Sequence, residues 1–152
     1  MTTPPRSPSV TPSPALNLAS YCLQARGLDP ESAGRAAFTF ARSYSDASLD
    51  ETWTYAEVWA RVQRVGRGFL ARGLQPGDRV LIRLPHSPEY AFAFFGANAA
   101  GLVPIPASPQ LTPEEAAFLL ADADASAVVT VPELRPAGFG GVEVLVVDDG
   151  SE

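Results

Sequence analysis

Lysine is missing altogether: all eleven basic residues of this 152-residue chain are arginine. A Walker A phosphate loop is built around a lysine, and Schiff-base catalysis needs a lysine amine. These residues alone supply neither chemistry. Cysteine and histidine are almost as scarce, one of each, Cys22 and His86. A single thiol forms no intrachain disulfide. Two such ligands fall short of the four that a structural zinc centre uses, and a Ser-His-Asp triad would have to use His86. A lone cysteine fits a reducing compartment, and a cytoplasmic location is the expectation.

Membrane signals are weak. The first residues, MTTPPRSPSVTPSP, hold no apolar h-region of a secretory signal. Tyr90 to Ala107 is uncharged, but Asn98, Gly101, Pro104 and Pro106 interrupt it, and it is marginally short of the ~20 residues that cross a bilayer. A buried helix followed by a buried strand is the simpler account. Net charge is −6 with a pI near 4.7. An acidic chain with scattered arginines argues against a nucleic-acid surface, which needs clustered positive charge.

What is present reads as one α/β unit, with 46% apolar and 18% charged residues, enough for a sizeable core. Residues 1–14, rich in Pro, Ser and Thr, read as a disordered tail. Residues 16–26 predict a short helix ended by Gly27 and Pro30. Residues 36–41 (AAFTFA) and 51–54 (ETWT) predict paired strands. Thr54 and Glu57 have capping-box spacing. Tyr55, Val58, Trp59, Val62, Val65, Phe69 and Leu70 then recur at helical period, predicting an amphipathic helix over 55–72 that Gly73 ends.

Pro76-Gly77 turns the chain into a strand at 79–84. Ser87 is expected to cap a helix over 88–100, with Pro88 in its first position. That helix is apolar on nearly every side, as one placed between layers would be. A short strand at 102–105 follows, limited by Pro104 and Pro106. Thr112, Pro113 and Glu115 open a further helix to about Asp122. Strands at 127–131 and 142–147 flank a Pro/Gly loop at 132–141. Strands alternating with helices predict a mostly parallel sheet with flanking helices. Ligands of such sheets lie past the carboxyl ends of the strands, here residues 84–88, 106–111 and 132–134.

Candidate motifs are better explained without catalysis. Gly66-x-Gly68-x-x-Ala71 has dinucleotide-fingerprint spacing but lies inside a helix, where close packing of the helix on the sheet is the better reason. Asp148-Asp149 resembles an acidic receiver pair, but without its lysine it reads as a solvated strand end. Cys22 reads as a small packed residue, since no base accompanies it. His86 has no second His, Cys or carboxylate near it in sequence. Glu114, Glu115, Asp122 and Asp124 are carboxylates near a helix, of which Glu115 is explained by capping and the aspartates by a loop. No catalytic, cofactor-binding or metal-binding residue is assigned.

Several segments, in order, resemble the adenylate-forming enzymes: acyl-CoA synthetases, aryl-CoA ligases and the adenylation domains of peptide synthetases. The stretch TWTYAEVWARVQRVGRGFLARGLQPGDRVLI (52–82) is similar to the family's T-Y-x-E helix start followed by P-G-D-R-V. The stretch LPHSPEYAFAFFGANAAGLVPIPASPQLTPEEAAFLLADADASAVVT (84–130) resembles L-P-N-S-P-E, an apolar helix, A-G-x-V-x-V-P and L-T-x-E-E. LNLASYC (16–22) resembles the usual opening of the acyl- and aryl-CoA ligases. His86 stands where the family often has Asn. PIPASPQLTPEE, rather than P-L-D-P-x-Y-P, favours a CoA ligase over an amino-acid adenylating domain.

The resemblance implies that residues 15–152 are the incomplete N-terminal α/β portion of such a ligase. The complete enzyme would convert a carboxylic acid and ATP into an acyl adenylate, with Mg²⁺ offsetting phosphate charge, and CoA would then displace AMP. The family's phosphate loop and catalytic lysine lie in later segments, so the resemblance implies a scaffold, inactive alone, that works with the remainder of the ligase. The alternative is a non-catalytic α/β interaction module derived from that family.

Overall fold

A computed structural model describes residues 16–135 and 142–147. The expected tail at 1–14 and the Asp148-Asp149 pair lie outside the described residues. The first helix, α1, runs as a π-helical stretch, Ser20–Gln24, into an α-helical turn, Ala25–Leu28. Gly27 does not end it but lies within its last turn. A Cβ there would stand 2.8 Å from the Cβ of Trp59, so the missing side chain lets α1 press onto the next helix.

Strands β1 (Ala36–Phe40) and β2 (Glu51–Thr54) form an antiparallel pair with an irregularity between Ala36 and Phe38. Helix α2 (Tyr55–Ala71) starts at a complete capping box: Thr54 accepts from the Glu57 amide, and the Glu57 carboxylate accepts from the Thr54 amide at 2.8 Å. Val58, Trp59, Val62, Gly66 and Phe69 fall on one face and are buried.

Strands β3 (Arg79–Arg83), β4 (Val103–Pro106), β5 (Ala127–Thr130) and β6 (Glu143–Val146) form one parallel sheet in the order β4-β3-β5-β6. The inner strands bury nearly every residue, as parallel strands covered on both faces should. β4 tolerates its prolines because it is an edge. Val103 and Ala107 donate to the Asp78 and Ile82 carbonyls, while Pro104 and Pro106 take the alternate positions, facing away from β3.

Helix α3 (Pro88–Ala99) lies between layers, as its all-round apolarity predicts. Ala93 and Ala97 pack on the sheet with Val80, Ile82, Leu84 and Val129, while Phe92 joins Trp53, Trp59 and Val62 beneath the hairpin. Ser87 occupies the cap position, but its side chain makes no capping bond, so Pro88 alone marks that helix start. Helix α4 (Pro113–Asp122) has the second predicted capping box and covers the opposite face, where Leu120 packs on Leu81 and Val128. Asp124, with φ +48°, ends it in the left-handed region, and its carboxylate lies 3.4 Å from Arg79.

The Gly66 expectation needs correction. Gly66 packs on α3, not on the sheet: a Cβ there would stand 2.9 Å from the Gly96 carbonyl oxygen. Gly96 returns the contact, since its Cβ would meet Val65. Two facing glycines let the helix axes approach.

Candidate functional site

The carboxyl ends of β3 and β4 frame a cleft of about 380 Å³, lined by Leu84, Pro85, His86, Tyr90 and Pro106 to Pro109. These are the places that the parallel-sheet rule selects at 84–88 and 106–111. Parallel strands all end on this side, and the chain must turn there into α3 and α4.

The cleft's chemistry is sparse. His86 is exposed, and its ring tilts against Phe40 of the hairpin at 5.1 Å between centroids. Arg42 stands over the other partner of that contact, 5.8 Å from the Phe40 ring centre. His86 is thus part of an aromatic contact that joins the β1–β2 hairpin to the cleft rim. Tyr90 is half-buried, and burial pushes its phenol pKa up, which keeps the hydroxyl neutral. Ser108 turns inward on its own loop and accepts from the Gln110 amide at 3.1 Å.

Arg83, the last residue of β3, escaped the sequence reading. It is only 4% exposed, beside the cleft on the α4 face of the sheet. Its guanidinium donates to the Leu134 carbonyl at 2.9 Å, to the Leu111 carbonyl, and to the Pro109 carbonyl at 3.5 Å. Its Nε has no partner among the described residues. One buried cation therefore ties the loop after β4 to the turn after β5. The sequence signal was there: a charge directly after the apolar run Val80 to Ile82, at the carboxyl end of RVLIR.

The remaining candidates are scattered. Cys22 is half-buried beside Leu23, Ala37 and Phe38 beneath the hairpin, and His86 is not among the residues lining that pocket. Glu115 is engaged by its cap. Asp124 faces Arg79. Among the described residues no group of three His, Cys, Asp or Glu side chains could hold a metal ion, and no helix is long and apolar enough to cross a membrane.

Residues 30–151 match the AMP-binding enzyme family. Over 107 residues the chain is 33% identical to 4-coumarate–CoA ligase 2 of Nicotiana tabacum, covering 67% of this chain and 20% of that ligase. It is 35% identical over 108 residues to coprinoferrin synthetase of Coprinopsis cinerea, covering 70% of this chain and 4% of that protein. A benzoate CoA ligase from Burkholderia xenovorans LB400 superposes with a TM-score of 0.71 at 25% identity, over 88% of this chain and 26% of that one. The chain thus spans about a fifth of the 4-coumarate ligase that it matches. With that match running over most of its length, and with the α/β fold of the adenylate-forming ligases, the chain belongs to the AMP-binding enzyme family.

Proposed function

We propose that these residues are an N-terminal scaffold segment of an AMP-forming acyl-CoA synthetase and do not catalyse adenylation by themselves. The complete enzyme would join a carboxylic acid to ATP, release pyrophosphate, and pass the acyl group from AMP to the CoA thiol in the cytoplasm. The observation that carries the reading is the lack of a phosphate-binding group at the cleft. ATP needs cations or clustered backbone amides around its phosphates. The cleft offers His86, Tyr90 and Ser108, the chain has no lysine, and the guanidinium of Arg83 is committed to loop carbonyls. The cleft residues therefore do not fit ATP or Mg²⁺, and no step is assigned to them.

In this reading the segment shapes one wall of the enzyme. β3 and β4 fix the cleft rim, and Arg83 fixes the two loops beside it. The aligned CoA ligases, and the run PIPASPQLTPEE, support a CoA acceptor. The test is carboxylate-dependent ATP–pyrophosphate exchange over a panel of aliphatic and aromatic acids. No exchange by the 152-residue chain is expected, with exchange in a chain extended through the downstream coding sequence. Exchange by the 152 residues alone would overturn the reading.

A further inference from the structure

Helix α2 carries charge of the opposite sign to the rest of the chain. Residues 55–72 hold four arginines against one glutamate, a net of +3 in a chain of net −6. Three of the four, Arg61, Arg64 and Arg72, line a groove of about 330 Å³ between α2 and β6. Its floor is apolar: Val65, Phe69, Phe92, Ala93, Val129 and Leu145. Arg61 stacks over Trp53 and Phe92, and Arg72 reaches Glu143 only at 4.0 Å. Arg64 is exposed and has no ion-pair partner among the described residues. Glu89 is the one carboxylate among the described residues of the lining. Along the groove, β6 is bonded only to β5 among the described residues, and Val146 is 42% exposed.

We infer that this groove docks an amphipathic acidic helix of a polypeptide outside these 152 residues. Charge complementarity and length select that occupant. Arg61 to Arg72 spans about 16 Å of helix axis at 1.5 Å per residue, too long for one small carboxylate but matched by acids on successive turns of a helix lying along α2. The apolar floor takes the other side of that helix, and an open strand edge alongside gives its flanking backbone somewhere to pair. The inference rests on the scaffold reading above and names the surface through which the scaffold is completed.

A fluorescein-labelled helical peptide of about 18 residues, roughly 27 Å long, tests it on the intact 152-residue chain. Glutamates line one face of the peptide and leucines the adjacent face, and a control peptide has lysine for each glutamate. Fluorescence anisotropy should show binding of the acidic peptide alone, weakening with salt. Arg64→Glu should weaken it by about threefold or more, the scale of an exposed ion pair. Arg67→Glu makes the same charge change on the same helix, but Arg67 lies beside Gln63, Leu70 and Ala99 instead, and should leave binding unchanged. Equal loss in both variants, or equal binding of both peptides, would overturn the inference. So would displacement of the peptide by octanoate or benzoate, which would make the groove a small-acid site, or Arg64-dependent dimerisation without peptide binding. The assay needs no adenylation, so its failure leaves the scaffold reading standing, and pyrophosphate exchange by the chain alone would leave the groove standing.

Discussion

Two glycines two residues apart in α2 do different jobs. Gly66 is buried against Gly96, and an added methyl group would press on backbone; Gly68 has nothing nearer than Arg72 at 3.9 Å. Gly66→Ala is expected to destabilise, because overpacking costs about 1–3 kcal/mol and helix propensity returns at most ~1 kcal/mol. Gly68→Ala should stabilise by about 0.5–1 kcal/mol. Urea denaturation separates them, and equal shifts would refute the helix-contact account. Arg83 is the other residue whose role is local and specific. Arg83→Met keeps the apolar stem but removes the donors to Leu111 and Leu134. Charged hydrogen bonds contribute about 1.5–3 kcal/mol each, offset in part by relief of a buried charge. The clearer readout is hydrogen exchange. Faster exchange is expected near residues 108–112 and 132–135, and protection unchanged there would show that Arg83 does not hold these loops.

Element starts were written in the sequence wherever the cap chemistry is local. Thr54/Glu57 and Thr112/Glu115 form the boxes that their spacing predicts. Two hydrogen bonds from Thr54, first its backbone amide and then its hydroxyl, hold the Glu57 carboxyl below the usual glutamate range. The sign follows from linkage: the folded state favours the ionised form. This contribution to α2 is full above the ordinary glutamate pKa and is lost as pH falls through the depressed one. Glu57→Gln should therefore flatten part of the acid limb of stability, and chemical denaturation at a series of acidic pH values measures it. An unchanged acid limb would count against the box as the cause. Ser87 shows where local reading stops. Its position matches a cap, yet its side chain does not bond back, and Pro88 suffices.

At the scale of the whole molecule, the four-stranded sheet has two open edges among the described residues, β4 and β6. Phe118 and Leu16 are large, exposed apolar side chains. Unpaired edges and apolar patches favour association. The purified 152-residue chain is expected to self-associate or melt over a broad range, as sedimentation velocity and calorimetry would show. A monodisperse, cooperatively melting monomer would contradict that expectation and favour the stand-alone interaction module.

Period, caps and turn residues determined the elements by themselves, because each rests on contacts within a few residues. Helix α2, the alternation of strands and helices, and the cleft position past β3 and β4 were all legible in this way, and the order of motifs carried the family. Partners across the fold were not. That Gly66 meets Gly96, that Gly27 yields to Trp59, and that His86 rests on Phe40 depend on residues distant in sequence and adjacent only after packing. The burial of Arg83 and the arginine rim over β6 belong to the same class. A sequence period states which face of an element is apolar, but only the assembled layers decide what that face meets and which charges are left without a partner.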